Sequence, residues 1–449
     1  MTDRHPPSPM TASRVWRIRA EESERDQARV AGALRRAGLH RGDRLALVLP
    51  NSPGLLAAIL GSLRIGVIPV LLHAGLLAHE RRVLLDDAQP QLVVDDEAAL
   101  AGLLSGPSSP LAPVPLARPM HYTSGTSGRP KGVWSGVLDP NDAQRLFEDE
   151  AAVWRFDASD ALLICSPLYH SAAVRFSAST LLTGGEVILL ERFDATTAAH
   201  AIEQEQVRTA FMVPAHLQRL FALPRLPDLS SFRLLAHAGA PCPEPLKRAA
   251  LAAFPPGAVW EFYGSTEGQF TVCSPDEWLA HPGTVGRARP GRRLEVDADD
   301  QIWCHVPPYA RFEYWRDHAK TAAAWRGDAF TVGDIGRLTE DGYLFLDGRR
   351  DDLIISGGVN VYPAEVEGVL SGLPGVEEVA VFGAPDERWG QRVCAAVVGA
   401  ADPSAVLAHA RERLAAYKCP KNVYVVEDLP RTVTGKVRRS AVAAALGLA

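Results

Sequence analysis

Short apolar segments alternate with stretches of helical composition from about Val30 to Glu267, and this alternation restricts the fold more than any other feature of the sequence. The segments are apolar throughout, which is typical of parallel strands covered on both faces. They begin at Arg44, Val67, Gln91, Ala161, Glu186, Thr209 and Arg233. The candidate helices between them span residues 54–63, 79–86, 172–183, 196–206 and 244–254. We therefore predict an α/β fold in which layers of parallel sheet are covered by helices.

The pattern changes after Glu267, where the apolar pieces become shorter and are separated by Gly and Pro. Residues of about 270–348 are expected to form a small β-rich subdomain of the N-terminal domain. A turn-like segment then opens a last region of mixed strand and helix composition. Its strand-like runs begin at Glu378, Val393 and Val423, and its candidate helices span 363–370, 405–416 and 438–446. We predict an N-terminal domain of residues 1–350 and an α+β C-terminal domain of residues 351–449.

Composition indicates a globular protein without a nucleic-acid or membrane partner. Apolar residues make up 47% of the 449, and the net charge of −6 gives no general attraction for nucleic acid or anionic lipid. The uncharged run from Leu45 to Leu63 is interrupted by Pro50-Asn-Ser-Pro, which predicts a strand, a turn and a helix. Six scattered cysteines favour a reducing compartment and offer no zinc-ligand spacing. The first 26 residues lack the apolar region of a signal peptide and are expected to be a frayed start, so we predict a cytoplasmic protein.

The sharpest motif is Tyr122-Thr-Ser-Gly-Thr-Ser-Gly-Arg-Pro-Lys-Gly132, which follows a short strand-like segment. Its glycines let backbone N–H groups approach a polyphosphate, its hydroxyls donate further hydrogen bonds, and Lys131 adds a positive charge. The spacing differs from a Walker A loop, because Arg-Pro separates Gly128 from Lys131 and a glycine follows the lysine. A Gly/Ser linker is the structural alternative, but a linker seldom ends in Pro-Lys-Gly.

Three further segments carry groups suited to a nucleotide. Phe262-Tyr-Gly-Ser-Thr-Glu267 offers an aromatic ring, a glycine, two hydroxyls and a carboxylate, which could stack on a base and hold Mg²⁺. Val332-Gly-Asp-Ile-Gly336 and the nearby Gly348-Arg-Arg-Asp-Asp352 offer a carboxylate and arginines for a ribose or a phosphate. Pro430-Arg-Thr-Val-Thr-Gly-Lys436 places a lysine on a loop from which it could reach a distant cleft. Each segment also has a purely structural interpretation. The first could be a turn at the end of a strand, the second a set of solvated turn charges, and the third a loop with an exposed lysine.

Taken together and in this order, the segments resemble the adenylate-forming superfamily of acyl- and aryl-CoA ligases, adenylation domains and luciferases. The resemblance covers nearly the whole chain, and it includes Pro167-Leu-Tyr-His170 and the run from Ser356 to Glu367. It implies a large N-terminal domain followed by a mobile C-terminal lid. The implied reaction joins a carboxylate to the α-phosphorus of ATP, releasing pyrophosphate, after which a thiol displaces AMP. Such chemistry depends on positioning and charge neutralisation by the protein.

The resemblance also implies roles for individual residues. It assigns Lys436 to the bridge between the attacking carboxylate and the α-phosphate, Glu267 to Mg²⁺ and Asp351 to the hinge of the lid. The remaining nucleotide contacts it implies are Thr123, Ser124, Gly125, Thr126, Ser127, Gly128, Lys131, Gly239, Ala240, Pro241, Tyr263, Gly264, Thr266, Asp334 and Arg349. The thiol-side loop would include Gly357, Gly358 and Trp389. Val359 replaces a glutamate that is frequent in relatives, so the thioester step is less firmly indicated than the adenylation step.

Residues near His170 indicate which class of carboxylic acid would be the substrate. The resemblance places His170 at the entry of the carboxylate, and a satisfied core histidine is the structural alternative. Ser171 stands where amino-acid-activating relatives have an aspartate, which disfavours an α-amino acid. Arg175 could face a phenolate or carboxylate of the substrate, although a solvated or lid-facing arginine is an equal alternative. With Gly264, these residues form the expected acid pocket, and an aryl or cinnamic-type acid is preferred over a long-chain fatty acid.

Coenzyme A is the expected acceptor, because Trp389-Gly390 and Tyr417-Lys-Cys-Pro-Lys421 are most similar to aryl-CoA ligases. A carrier-protein thiol and ATP-dependent diazotisation of an aryl amine with nitrite stay open as alternatives on the same scaffold. A catalytically inactive nucleotide-binding protein is disfavoured, because the sequence keeps all four of the residues Lys436, Glu267, Asp334 and Arg349. A Walker-type kinase or ATPase would release ADP instead of AMP.

Overall fold

The computed structural model of the protein describes residues 13–123, 131–349, 352, 354–356, 359–386, 389–414, 416–431 and 437–448. The helices in these residues are α1 (Ala20–Arg36), α2 (Pro53–Leu63), α3 (Ala78–Ala88), α4 (Glu97–Leu104), α5 (Pro140–Trp154), α6 (Ser171–Leu182), α7 (Ala195–Gln204), α8 (Pro214–Phe221), α9 (Glu244–Ala253), α10 (Pro275–Ala280), α11 (His318–Ala324), α12 (Pro363–Leu370), α13 (Pro403–Arg413) and α14 (Arg439–Ala445).

The strands of the first 261 residues are β1 (Val15–Arg19), β2 (Arg44–Leu47), β3 (Ile68–Leu71), β4 (Leu92–Val94), β5 (Met120–Thr123), β6 (Lys131–Trp134), β7 (Ala161–Ile164), β8 (Glu186–Leu190), β9 (Thr209–Met212), β10 (Leu234–His237) and β11 (Val259–Glu261). The later strands are β12 (Thr271–Val272), β13 (Arg287–Ala288), β14 (Arg293–Val296), β15 (Ile302–His305), β16 (Glu313–Tyr314), β17 (Trp325–Arg326), β18 (Ala329–Phe330), β19 (Asp334–Leu338), β20 (Leu344–Arg349), β21 (Ile354–Ser356), β22 (Val359–Val361), β23 (Val376–Asp386), β24 (Gly390–Gly399) and β25 (Asn422–Val425).

The chain divides into two compact units that interleave along the sequence. The first takes in the described part of Met1–Tyr122 together with Gly132–Ala240 and Ala250–Trp260. The second takes in the described part of Thr123–Lys131, Pro241–Ala249 and Glu261–Ala449. The domain boundary expected near residue 350 stays a prediction, and residues 350 and 351 lie outside the described part of the chain.

Two sheets of mostly parallel strands form the core of the first unit. In one, the strand order is β1-β8-β7-β9-β10-β11, with β7 parallel to β8 and β9, and β9 parallel to β10. In the other, β4, β3 and β5 follow the same direction as β2. Every residue of Ala161–Ile164 and of Ile68–Leu71 is buried, which explains why these strands lack alternation in the sequence. The predicted α/β class with parallel sheets is confirmed.

The expectation of a frayed N-terminus is wrong for residues 13–26. Val15–Arg19 pairs antiparallel with β8 at the edge of the first sheet, and α1 follows it directly. Acidic residues occupy the first turn of α1 and basic residues the last, an arrangement that favours the helix dipole. The sequence shows no apolar periodicity in the first half of this helix, because its fully buried apolar residues lie only in the second half: Val30, Ala31 and Leu34.

The uncharged run from Leu45 to Leu63 folds as a strand, a turn and a helix, as predicted. Ser52 caps α2 by accepting a 3.1 Å hydrogen bond from the N–H of Leu55, and Pro53 occupies the first helical position. Among the described residues, no helix is both long enough and apolar enough to cross a membrane.

The second unit contains the predicted short strands and a larger C-terminal sheet. One sheet has the order β14-β15-β18-β17, and β19 and β20 form an antiparallel pair. In the C-terminal sheet, β21, β23 and β25 all pair with β24. Alternate residues of β24 pack on opposite faces, one against α12 and α13 and the other against α14. Both clusters draw only on residues from 354 onward, which supports the proposed C-terminal domain.

Candidate functional site

The second unit brings together the two residues expected to hold the base and the ribose of a nucleotide. The hydroxyl of Tyr263 donates a 2.5 Å hydrogen bond to the Oδ2 atom of Asp334, and both residues are buried. The ring of Tyr263 packs against Phe270 with 4.7 Å between centroids. Across the β19–β20 pair, Asp334 lies opposite Arg349. Residues distant in sequence are therefore fixed at one place by a charge-assisted hydrogen bond and backbone pairing.

A tight loop follows Tyr263. The N–H of Ser265 donates to the carbonyl of Gly268 at 2.8 Å, and the N–H of Phe270 donates to the carbonyl of Tyr263 at 2.9 Å. A Cβ atom at Gly264 would lie 2.8 Å from the carbonyl oxygen of Gly268, so a side chain there would force the loop open. This loop carries two residues of the predicted site: Thr266, which is half-buried, and Glu267, which is buried.

The carboxylate of Glu267 accepts a 2.9 Å hydrogen bond from the hydroxyl of Tyr314, and both side chains are buried. Two ammonium groups lie over the ring of Tyr314: Lys131 Nζ is 5.7 Å and Lys320 Nζ is 5.4 Å from its centroid. These distances are in the range of cation–π interactions. Sequence reasoning missed Tyr314 and Lys320. The scarcity of lysine, six in the chain, was a signal that could have drawn attention to Lys320.

A chain of packed aromatic rings joins Tyr263 to Tyr314. Its links are Tyr263–Phe270 at 4.7 Å, Phe270–Phe330 at 4.8 Å, Phe330–Phe312 at 5.2 Å and Phe312–Tyr314 at 5.5 Å between centroids. All five residues are buried. Because packed aromatic rings are rigid and hold specific relative orientations, they fix the position of the Glu267 carboxylate relative to the Tyr263 ring.

A buried ion pair lies directly before this site and was not predicted. Lys247 Nζ is 3.2 Å from Glu261 Oε2, and the two residues are 1% and 7% exposed. Burial raises the pKa of Glu261, and the neighbouring Lys247 charge partly offsets that effect. The backbone N–H and C=O of Glu261 bond to those of Cys273. The pair thus fixes the end of the strand from which Tyr263 follows two residues later.

In the first unit, the loop that carries His170 is fixed by a buried asparagine. The amide nitrogen of Asn51 donates to the carbonyls of Ser166 at 3.2 Å and Leu190 at 3.0 Å. Its Oδ1 atom accepts the N–H of Leu168 at 2.8 Å. Because a buried amide with three satisfied hydrogen bonds is costly to displace, Asn51 holds the ends of β7 and β8 in register with this loop.

His170 occupies the N-cap position of α6 without a side-chain capping hydrogen bond, and its ring packs against Tyr169 with 4.5 Å between ring centroids. Next to them, the Nδ1 atom of the buried His121 is 2.9 Å from the carbonyl oxygen of Tyr169. Its Nε2 atom has no hydrogen-bond partner within the described part of the chain. Burial lowers the pKa of His121 to about 3, so this imidazole is neutral at physiological pH. Ser171 is the first residue of α6.

The guanidinium of Arg175 lies 3.5 Å from the carboxylate of Glu150, at the atoms Nε and Oε1. Both side chains are mostly buried, at 24% and 12% exposure, so the positive charge of Arg175 already has an intramolecular counter-charge. Its predicted role toward a substrate anion stays a prediction.

The turn of Gly239, Ala240 and Pro241 follows the carboxyl end of β10, and Gly239 has a φ of +92°, a left-handed conformation that favours glycine. Trp389 is 40% exposed, and its backbone N–H donates to Asp386 Oδ1 at 3.0 Å. Thr123 and Arg349 are described by their backbones. Several predicted residues lie outside the described part of the chain: Ser124, Gly125, Thr126, Ser127, Gly128, Asp351, Gly357, Gly358 and Lys436.

The described residues suit a magnesium ion that is held mainly by phosphates. They contain no group of three or more His, Cys, Asp or Glu side chains placed to enclose a metal. Mg²⁺ typically takes only one or two carboxylates and completes its shell with substrate phosphates and water. The single buried carboxylate of Glu267, near two ammonium groups, fits that mode of binding.

Comparison with known proteins agrees with this geometry. Residues 16–115 and 117–307 match the AMP-binding enzyme family, and residues 365–436 match the AMP-binding enzyme C-terminal domain. A feruloyl-CoA synthase of Amycolatopsis sp is 36% identical over 94% of this chain and 92% of its own length. A long-chain-fatty-acid–CoA ligase of Mycobacterium tuberculosis is 32% identical over 92% and 90% of the two chains.

Among solved structures, o-succinylbenzoate coenzyme A synthetase from Bacillus subtilis, in complex with ATP and a magnesium ion, superposes with a TM-score of 0.82. The two chains are 27% identical, and the match covers 94% of each. The family models cover well over half of the chain, and the relatives match along nearly their whole length. The chain therefore belongs to the AMP-binding enzyme family, within the adenylate-forming superfamily of ligases.

Proposed function

We propose that this protein is an AMP-forming acid–thiol ligase that acts on an aryl or cinnamic-type acid and coenzyme A. In the first half-reaction, a carboxylate oxygen of the acid bonds to the α-phosphorus of ATP and pyrophosphate leaves. In the second, the thiol sulfur of coenzyme A bonds to the carbonyl carbon, the carbon–oxygen bond to phosphate breaks, and AMP leaves with that oxygen. The thiol proton is released to solvent.

The observation that carries this proposal is the buried Tyr263–Asp334 hydrogen bond, which a chain of aromatic rings connects to the Tyr314–Glu267 pair. A planar ring backed by Phe270 suits stacking on adenine. A carboxylate held by a phenol is oriented to accept hydrogen bonds from ribose hydroxyls. At the other end of the ring chain, an acidic oxygen with nearby lysines suits Mg²⁺ and a triphosphate.

Positioning and charge neutralisation explain how these groups would accelerate adenylation. Glu267 would hold Mg²⁺, which neutralises phosphate charge when it is bound. Lys131, with the glycine- and hydroxyl-rich loop of residues 123–132, would hold the β- and γ-phosphates, and Thr266 would contact the α-phosphate. Gly239, Ala240 and Pro241 would line the base, and Arg349 would contact the ribose.

Lys436 is proposed to stabilise charge that develops between the carboxylate and the α-phosphate. Rotation of a C-terminal lid about Asp351 would then withdraw Lys436 and bring in the loop with Gly357 and Gly358 for thioester formation. The separate hydrophobic clusters of the C-terminal sheet support such a lid, because a region with its own core can move as a body. Trp389 would lie on the thiol side.

The preference for an aryl acid rests on the polarity of the helix after His170. Ser177, Ser179 and Thr180 are buried in α6, where a pocket for a long alkyl chain would be expected to have apolar residues. The relatives named above are, by their names, ligases for both aryl and fatty acids. The acid that this protein activates is therefore to be identified by assaying a panel of acids. Ser171 leaves α6 without a carboxylate at its first position, which disfavours amino acids.

The test is pyrophosphate release from ATP across a panel of benzoic, cinnamic, indole-acetic and fatty acids, with and without coenzyme A. We expect acid-dependent pyrophosphate, AMP as the nucleotide product, and an acyl-CoA by mass for an aryl or cinnamic acid. Parallel reactions with carrier protein, and with nitrite plus an aryl amine, test the other acceptors. Release of ADP, or of no pyrophosphate with any acid, would contradict the proposal.

A further inference from the structure

A positively charged side chain near Tyr314, that of Lys320, lies outside the motifs and has no role in the proposed function. Lys320 is the third residue of α11, and its ammonium lies 5.4 Å from the centroid of the Tyr314 ring. The hydroxyl of the same ring donates to Glu267, and Lys131 lies over the same ring at 5.7 Å. Two ammonium groups and one carboxylate are therefore grouped around a single buried phenol.

Short-range hydrogen bonds fix the position of Lys320 relative to Tyr314. The backbone N–H of Lys320 donates to Asp317 Oδ1 at 3.0 Å, which anchors the start of α11. The next residue, Thr321, accepts the backbone N–H of Tyr314 at 2.9 Å and donates to the carbonyl of Asp317 at 2.8 Å. Because one turn of chain is held at both ends, the lysine is preorganised instead of being placed by chance on a mobile loop.

The grouping of charge indicates what this place would bind. Two ammonium groups over one ring repel each other, and a polyanion bound near them would relieve that repulsion. Ammonium groups bind phosphate as point charges, and Lys131 belongs to the glycine-rich loop that is proposed to hold phosphates. A nucleoside monophosphate lacks the β- and γ-phosphates and would not extend to a cation at this end of the ring chain.

We propose that Lys320 is a second phosphate-binding lysine, which contacts the β- or γ-phosphate of ATP and then the leaving pyrophosphate. The inference rests on the proposed function, because it requires that the site binds ATP. It also predicts that Lys320 contributes to the affinity for ATP and pyrophosphate and contributes nothing to the affinity for AMP. That difference separates a phosphate contact from a structural role.

The experiment is isothermal titration of ATP, inorganic pyrophosphate and AMP, each with Mg²⁺, into the full chain and three variants. Lys320→Gln should weaken ATP and pyrophosphate binding about 10-fold or more, the order expected for one hydrogen bond to a charged group, and leave AMP binding unchanged. Lys320→Arg, which keeps the charge, should recover most of the loss. The control is Lys421→Gln, an exposed lysine that donates to the carbonyl of Ala416, and it should bind all three ligands as the wild type does.

The outcomes distinguish this inference from the proposed function. If the wild-type chain binds ATP and Lys320→Gln binds ATP and pyrophosphate equally well, the role of Lys320 is refuted and the proposed function stands. A parallel loss of ATP and AMP affinity in Lys320→Gln would also refute it, since a general structural defect affects both ligands. If the wild type binds neither ATP nor pyrophosphate, both proposals fail together.

Discussion

Replacement of Lys247 by methionine is predicted to destabilise the protein severely. The ammonium of Lys247 is 3.2 Å from Glu261, and both residues are almost fully buried. Methionine has a similar length and shape, so the substitution removes the charge and leaves little cavity. It leaves the Glu261 carboxylate buried without its counter-charge, and breaking a buried pair in this way costs about 3–5 kcal/mol. That is a large fraction of the 5–15 kcal/mol by which a typical protein is stable.

The pH dependence of the stability lost in Lys247→Met gives a more specific test. Burial raises the pKa of Glu261 in the folded state, so the folded protein retains a proton that the unfolded chain loses as pH rises through about 4.5. Without Lys247 the pKa of Glu261 rises further, and stability falls more steeply with pH. The penalty of Lys247→Met should therefore be smaller near pH 4.5 than at pH 8. In the double variant Lys247→Met/Glu261→Gln, the added pH dependence should disappear.

The assay is urea denaturation at several pH values, with midpoint and slope compared between variants. The matched control is Lys418→Met, which breaks the Lys418–Glu365 pair at 2.5 Å. Those side chains are 22% and 40% exposed, and exposed pairs of this kind contribute about 0–1 kcal/mol. A Lys247→Met penalty equal to that of the control, or one that does not depend on pH, would refute the argument that this buried pair stabilises the fold.

Three further changes have defined outcomes. Tyr314→Phe removes the hydroxyl that orients Glu267, so the Mg²⁺ concentration for half-maximal ATP–pyrophosphate exchange should rise several-fold; an unchanged Mg²⁺ titration would count against that role. The His121 pKa of about 3 means that the unfolded chain takes up a proton below pH 6.5 while the folded one does not. The free energy of unfolding should then fall by up to about 1.4 kcal/mol per pH unit below 6.5, and urea denaturation of His121→Gln should lack this contribution. Lys436→Ala should slow adenylation about 10²–10³-fold and spare thioester formation from a supplied acyl-adenylate; equal loss in both half-reactions would contradict the lid movement.

Much of the first unit could be predicted because its strands are buried on both faces. Ala161–Ile164 and Thr209–Met212 are apolar throughout, and that pattern predicts parallel strands without further information. The helix α1 was missed for the converse reason: the buried residues of its first half, Ser23 and Gln27, are polar and lie among charged residues, so that half has no apolar pattern. The ion pair formed by Arg64, a buried residue, with Glu24 on α1 could not be read from residues 40 positions apart.

The site shows the same division. Tyr263, Glu267 and Asp334 lie in local motifs whose composition indicates nucleotide chemistry, so the sequence alone proposes them as site residues. Tyr314 and Lys320 lie between motifs, and their significance arises from the fold, which brings the phenol to Glu267 across 47 positions in the chain. Long-range hydrogen bonds of this kind leave no periodic signal in the sequence.

The central claim is that the acid is activated by transfer of its own oxygen to the α-phosphorus of ATP. Its most direct test uses a carboxylic acid labelled with ¹⁸O in both carboxylate oxygens, together with ATP, Mg²⁺ and coenzyme A, and analyses the nucleotide product by mass spectrometry. The account predicts AMP that carries one ¹⁸O atom, formed in equal amount with pyrophosphate and acyl-CoA. Unlabelled AMP, or ADP as the product, would contradict it.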